Sequence, residues 1–106
     1  MNARTQARYE TRARVIKAMA HPTRLFLVEE LSRGERSVLE LTAKVGSDVS
    51  TVSRHLAVLK GVELVRTEKR GAQIFYSLRV PCVLEFFGCV DAVLQSKGRA
   101  TTACAR

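Results

Sequence analysis

Ser50, Thr51, Ser53 and Arg54 crowd one short stretch of this 106-residue chain, with His55 beside them. Side chains of this kind do recognition chemistry: hydroxyls bond phosphates or base edges, and an arginine guanidinium matches the two acceptors that guanine shows in the major groove. A helical wheel sorts the stretch into two faces. Val49, Val52, Leu56 and Leu59 fall at i, i+3, i+7 and i+10 on a side that must be buried. Ser50, Thr51 and Arg54 then point the opposite way, with Ser53 and His55 on the flanks. Asp48 is a good N-cap for this helix, and Gly46-Ser47 supplies the turn before it. A solvated amphipathic helix shows the same pattern, so the neighbouring elements have to discriminate.

The other reactive side chains are Cys82, Cys89 and Cys104. An odd number of cysteines in a short chain without an export signal reads as reduced thiols rather than a disulfide framework. Cys82 and Cys89 share nearly one line of a helix but lie about 10 Å apart along it, whereas thiolates on one metal ion each sit about 2.3 Å from it. One helix cannot chelate with both; a shared site needs a second copy's helix, or Cys104 folded back. Three readings stay open: small apolar fillers, ligands for a thiophilic ion such as As(III) or Cd, or a disulfide or persulfide redox switch. His21 reads as a helix-start residue rather than a ligand.

Eighteen Lys and Arg against ten Asp and Glu leave a net charge of +8, which favours a polyanionic partner. No apolar run approaches the ~20 residues that span a bilayer, and Arg4, Arg8, Arg12 and Arg14 leave no room for the apolar core of a signal peptide. The expectation is a cytoplasmic protein without a membrane partner. No phosphate-cradling Gly loop, no His-Glu-x-x-His and no nucleophile beside a base is present, which speaks against an enzyme.

The elements that must carry these residues follow from Pro, Gly and the apolar spacing. Residues 2 to 20 contain neither Pro nor Gly and predict a first helix, with Val15, Ile16 and Met19 as its apolar edge and Tyr9 extending it. His21-Pro22 breaks that pattern and Pro22 restarts it. A second helix is expected over 22 to 33, with Leu25, Val28 and Leu31 on one face, Phe26 and Leu27 widening it, and Gly34 ending it. Ser37 with Glu40 has capping-box spacing, so a third helix runs from about 38 to 45, anchored by Leu39 and Leu41. The stretch described first follows after a tight turn, which makes a helix-turn-helix with residues 49 to 60 in the reading position. Residues 64 to 69 and 72 to 78, rich in β-branched and aromatic side chains around Arg70-Gly71, predict a β-hairpin whose basic tip suits a phosphate backbone. A last helix over 81 to 95 is apolar on well over half its circumference, through Val83, Leu84, Phe86, Phe87, Val90, Val93 and Leu94. That is more apolar surface than one small core can take, and it predicts a homodimer. Residues 1 to 95 therefore form a single domain, and the small, polar stretch 96 to 106 is expected to be a flexible tail.

From Lys17 to Leu94 the chain resembles the ArsR/SmtB family of dimeric winged-helix repressors. The resemblance rests on Lys17-Ala18-Met19-Ala20-His21-Pro22-Thr23-Arg24-Leu25, on Ser53-Arg54-His55-Leu56 followed by Leu59-Lys60, and on Leu64-Val65 leading into Ile74-Phe75-Tyr76-Ser77-Leu78. It implies a mainly α fold with a β-wing, a dimer built from the first and last helices, and repression by operator occupancy that an effector relieves. Metal or metalloid ions are the usual effectors; some members respond to redox state. It also implies that Ser50, Thr51, Ser53, Arg54 and His55 face DNA. The Cys-Val-Cys of arsenite-type members is replaced here by Ser37-Val38-Leu39. Cys82 falls near the first ligand set of zinc-type members, but Val93 and Ser96 occupy the region of the second, so a standard zinc site is not expected. Glu63 stands where the family has the helix-ending Gly, a position tending to positive φ.

The leading expectation is a dimeric repressor on a palindromic double-stranded DNA operator, contacting phosphates through Arg66, Lys69 and Arg70 and needing no cofactor to bind. A thiophilic ion at Cys82, Cys89 and Cys104 is one candidate effector, a thiol redox or persulfide response is the alternative, and purely structural cysteines stay open beside both. A winged-helix protein-interaction module that never touches DNA is the competing class. It predicts an apolar or acidic reading face, against which the Ser50, Thr51 and Arg54 surface speaks.

Overall fold

The computed structural model describes residues 1–96 and orders them as α1 (Ala3–Met19), α2 (Pro22–Ser32), β1 (Arg36–Ser37), α3 (Val38–Val45), α4 (Val49–Gly61), β2 (Val65–Arg70), β3 (Gln73–Leu78) and α5 (Val83–Ser96). Each of α1 to α4 begins where a side chain can satisfy its first orphan N–H groups. Asn2 accepts from the Thr5 N–H at 2.8 Å to start α1. Pro22 occupies the first turn of α2, and the cap before it is a histidine: His21 Nδ1 accepts the Thr23 N–H at 3.1 Å. The capping box forms at α3, with the Glu40 N–H on Ser37 Oγ at 3.1 Å and the Ser37 N–H on Glu40 Oε1 at 2.8 Å. Asp48 caps α4 through the Thr51 N–H at 3.3 Å.

Two helix ends turn on left-handed residues. Gly46, at φ 77°, closes α3 and makes the turn into α4. At the far end of α4 the N–H of Leu64 bonds the carbonyl of Leu59, and that of Glu63 the carbonyl of Lys60, which is the paired pattern of a Schellman stop. Glu63 is its left-handed residue at φ 62°, the only non-glycine among the described residues with positive φ.

The completely enclosed large side chains are Leu27 and Val28 of α2, Leu41 of α3, and Val52, Leu56 and Leu59 of α4. The centre of the molecule is thus where α2 packs on the helix-turn-helix of α3 and α4. Several apolar residues expected in that centre lie at its edge. Leu39 is 59% exposed because Leu41 alone takes the inward position on the short α3. Val49, in the first turn of α4, ends its apolar row beyond the core and is exposed, as are Tyr9 and Ile16 on α1. On α2 the seam is Leu27, Val28 and Leu31, while Leu25 and Phe26 turn outward and line a groove with Phe86, Phe87 and Val90 of α5.

The expected hairpin is part of a three-stranded antiparallel sheet of order β1-β3-β2. β1 pairs Arg36 with Tyr76 and Ser37 with Phe75, and its two residues are too few to show strand periodicity in sequence. The turn sits one residue later than expected. Arg70 pairs with Gln73, so Gly71-Ala72 forms the loop, with positive φ at Gly71 in the manner of a type II′ turn. α5 buries none of its residues fully, and Val93 and Leu94 are more than 60% exposed. Ser96, placed in the tail by its polarity, is the last residue of α5; 97–106 lie outside the described residues.

Candidate nucleic-acid interface

α4 is seated by Val52, Leu56 and Leu59, each with no exposed surface, and this fixes where its remaining side chains point. Ser50 and Arg54 are exposed, while Thr51 and Ser53 are half-buried beside them. Hydrogen bonding from Thr51 holds the Asp48 carboxyl below the usual carboxylate range, so the cap stays charged at the helix start, where a negative charge suits the helix dipole. The exposed edge of the helix therefore carries a hydroxyl and a guanidinium over its first two turns, the part that enters a groove in helix-turn-helix proteins.

His55 does not share that surface. Its ring lies against His21, centroids 4.4 Å apart, and Arg24 Nη1 of α2 is 3.3 Å from His55 Nδ1. Burial, helped by the nearby charges of His21, Arg24 and Arg54, pushes the His55 pKa down. On the sheet, Arg66 and Lys69 are exposed on β2, opposite Ser77 and Ile74. Arg70 is engaged within the chain: its Nη2 is 2.7 Å from both Glu35 and Glu68, and its guanidinium sits 4.7 Å from the Phe75 ring centroid. It ties the wing to the segment before β1 rather than projecting a free cation. Between α2 and α3, Glu30 is buried and bonds Arg33 at 2.8 Å and Lys44 of α3 at 3.3 Å. Burial raises its pKa, but the Lys44 hydrogen bond and the charges of Lys44, Arg33 and Arg36 outweigh this and leave it below the ordinary range.

Sequence reasoning missed the supporting roles of Arg24, Glu35 and Phe75. Arg24 and Glu35 meet His55 and Arg70 from far along the chain, and Phe75 meets Arg70 only once the hairpin has paired.

Of the cysteines expected as reduced thiols, Cys82 is free, whereas Cys89 is disulfide-bonded. Cys82 is exposed in the turn before α5, Cys89 lies exposed on α5, and Cys104 is outside the described residues. Among the described residues no group of three or more His, Cys, Asp or Glu side chains is placed to hold a metal ion.

A helix-turn-helix domain family profile matches residues 19–68, from the end of α1 into β2. The biofilm growth-associated repressor of Agrobacterium fabrum is 44% identical over 64 residues, spanning 60% of this chain and 55% of that protein. The crystal structure of NolR from Sinorhizobium fredii superposes with a TM-score of 0.80 at 30% identity, covering 88% of this chain and 93% of that one. The homodimeric winged helix-turn-helix DNA-binding domain of Mb0332 from Mycobacterium bovis, described as a possible ArsR-family regulator, gives 0.76 at 30% identity over 92% and 90%. This chain belongs to the ArsR/SmtB family. As an ArsR/SmtB member it is a winged-helix transcriptional repressor, in a family of DNA-binding regulators rather than enzymes. No helix among its described residues is long and apolar enough to cross a membrane.

Proposed function

We propose that this ArsR/SmtB protein represses transcription as a homodimer on a palindromic duplex operator, reading bases with the exposed edge of α4. The observation that carries this reading is the division of α4: Val52, Leu56 and Leu59 are fully enclosed, while Ser50 and Arg54 stand free at the groove-entering end. Arg54 reads a base, Ser50, Thr51 and Ser53 supply hydroxyls to base edges or phosphates, and Arg66 and Lys69 meet the backbone beside the wing. His55 supports the helix from within, and Arg70 stiffens the wing. Two copies joined through α1 and α5 place their α4 helices in major grooves about 34 Å apart. The exposed Phe86, Val90, Val93 and Leu94 supply the apolar surface that such a dimer buries.

The test is operator binding by fluorescence anisotropy, with the duplex selected from random sequence. Arg54→Ala is expected to cost about 1–3 kcal/mol and to relax the preference at one base pair per half-site. An Arg54→Ala protein that selects the same duplex with the same affinity removes Arg54 from the reading set. Running the assay with As(III), Cd and an oxidant on wild type and Cys82→Ser decides whether the exposed Cys82 thiol has a sensory role. Identical release profiles in the two proteins remove it.

A further inference from the structure

The contact that DNA reading leaves unused lies behind the recognition helix. A guanidinium can only donate, so the Arg24 Nη1 group 3.3 Å from His55 Nδ1 makes that nitrogen the acceptor and places the ring proton on Nε2. His21 is constrained in the same way, because its Nδ1 accepts the Thr23 N–H at 3.1 Å while capping α2. The two rings then lie against each other at 4.4 Å, tilted by 43°. Arg24 Nε is buried with no hydrogen-bond partner among the described residues, so the contact of its Nη1 with His55 is what orients the guanidinium.

We propose that His21, Arg24 and His55 form a positioning cluster that sets the angle of α4 for operator binding, and that one proton added to His55 releases it. The proposal rests on the reading of α4 as the DNA-binding helix. A proton on His55 Nδ1 turns an acceptor into a donor facing a donor, and sets a second positive charge within hydrogen-bond reach of Arg24. No compensating charge among the described residues meets it. The groups that bear on His55 are His21 at the α1–α2 junction, Arg24 on α2 and Arg54 on its own helix, and no carboxylate is among them. Burial and these charges all favour the neutral ring, so the cluster is intact at neutral pH and opens as pH falls through a lowered His55 pKa. Only the dimer with both His55 rings neutral binds, and operator affinity then drops by up to about a hundredfold for each pH unit below that midpoint, about tenfold per subunit.

The experiment pairs an NMR titration of both imidazoles in the free protein with operator affinity from about pH 8 to about pH 5, around the ordinary histidine range. Wild type is run beside His55→Asn, which keeps an amide oxygen for Arg24 and cannot titrate, and Arg24→Gln; thermal melts show that each variant folds. The expected result has several parts. His55 titrates below the ordinary histidine range, its protonation moves the α4 backbone resonances, and wild-type affinity falls in step. His55→Asn loses the acid fall whatever its affinity at neutral pH, and Arg24→Gln binds more weakly already at neutral pH while its His55 returns toward the ordinary range. The proposal is overturned if His55→Asn weakens on acidification in parallel with wild type, or if His55 titrates in the ordinary range with α4 unmoved. Should His55→Asn not fold, Arg24→Gln decides between the same outcomes. Binding to no duplex at any pH defeats the function reading instead, and the free-protein titration still decides whether the cluster exists.

Discussion

Glu63 shows how a single residue can work against its own backbone. Its φ of 62° is comfortable for glycine, whereas an L side chain in that region carries strain. Neighbouring contacts hold it there: the Schellman bonds of Leu64 and Glu63, and Arg79 Nη1 on the Glu63 carbonyl at 3.2 Å. Glu63→Gly is expected to raise the urea midpoint by the equivalent of up to about 1 kcal/mol, because relief of strain exceeds the added freedom of the unfolded chain. The Glu63 carboxylate is only 4.0 Å from Arg79 in an exposed pair, so losing it subtracts little. A midpoint that moves down would mean that the side chain contributes more than its position costs.

At the level of elements, α3 is short and depends on its start. Ser37→Ala is expected to cost about 1 kcal/mol in urea unfolding, the usual loss for an N-cap hydroxyl. The Ser37 N–H hydrogen bond holds Glu40 below the ordinary glutamate range. A carboxyl with a depressed folded pKa stabilises above its unfolded value and loses that contribution as pH falls through the folded one. Stability should therefore decline as pH drops below about 4.3, the ordinary glutamate value, and Glu40→Gln should make that decline shallower. The wing separates two cations in the same way. Lys69→Ala is expected to reduce the salt slope of operator binding by about one unit, as loss of a phosphate contact does. Arg70→Ala should leave the slope intact and loosen the wing, because Glu35, Glu68 and Phe75 already hold its guanidinium. Equal slope changes for the two variants would put Arg70 on the phosphates as well.

For the whole molecule the unsolved surface is α5, which is apolar yet has no residue fully buried. Val93, 65% exposed, and Leu94, 62% exposed, have no place in a stable monomer's solvent face beside the groove that Leu25 and Phe26 share with Phe86 and Val90. Val93→Glu is expected to give a monomer by sedimentation at micromolar concentration and to weaken operator binding by about a hundredfold or more, since two half-sites are no longer engaged together. A Val93→Glu protein that remains dimeric places the interface elsewhere.

Much of this was legible in local spacing. The Ser37 and Glu40 box, the Asp48 cap, the Gly46 turn and the Val52, Leu56, Leu59 row are interactions within a few residues, and the physics that makes them acts at that range. The family resemblance carried by the 17–25, 53–60 and 64–78 segments reached the winged helix for the same reason: it is written in helix faces and turns. Tertiary structure alone decided the rest. Whether Leu39 or Leu41 is inside depends on which way a two-turn helix faces its neighbours, and whether Arg70 is a free cation depends on Glu35, thirty-five residues away. His55 looked like a DNA-facing flank because nothing near it in sequence reveals His21 and Arg24 waiting behind the helix; only packing α4 onto α2 brings those charges within reach of its ring.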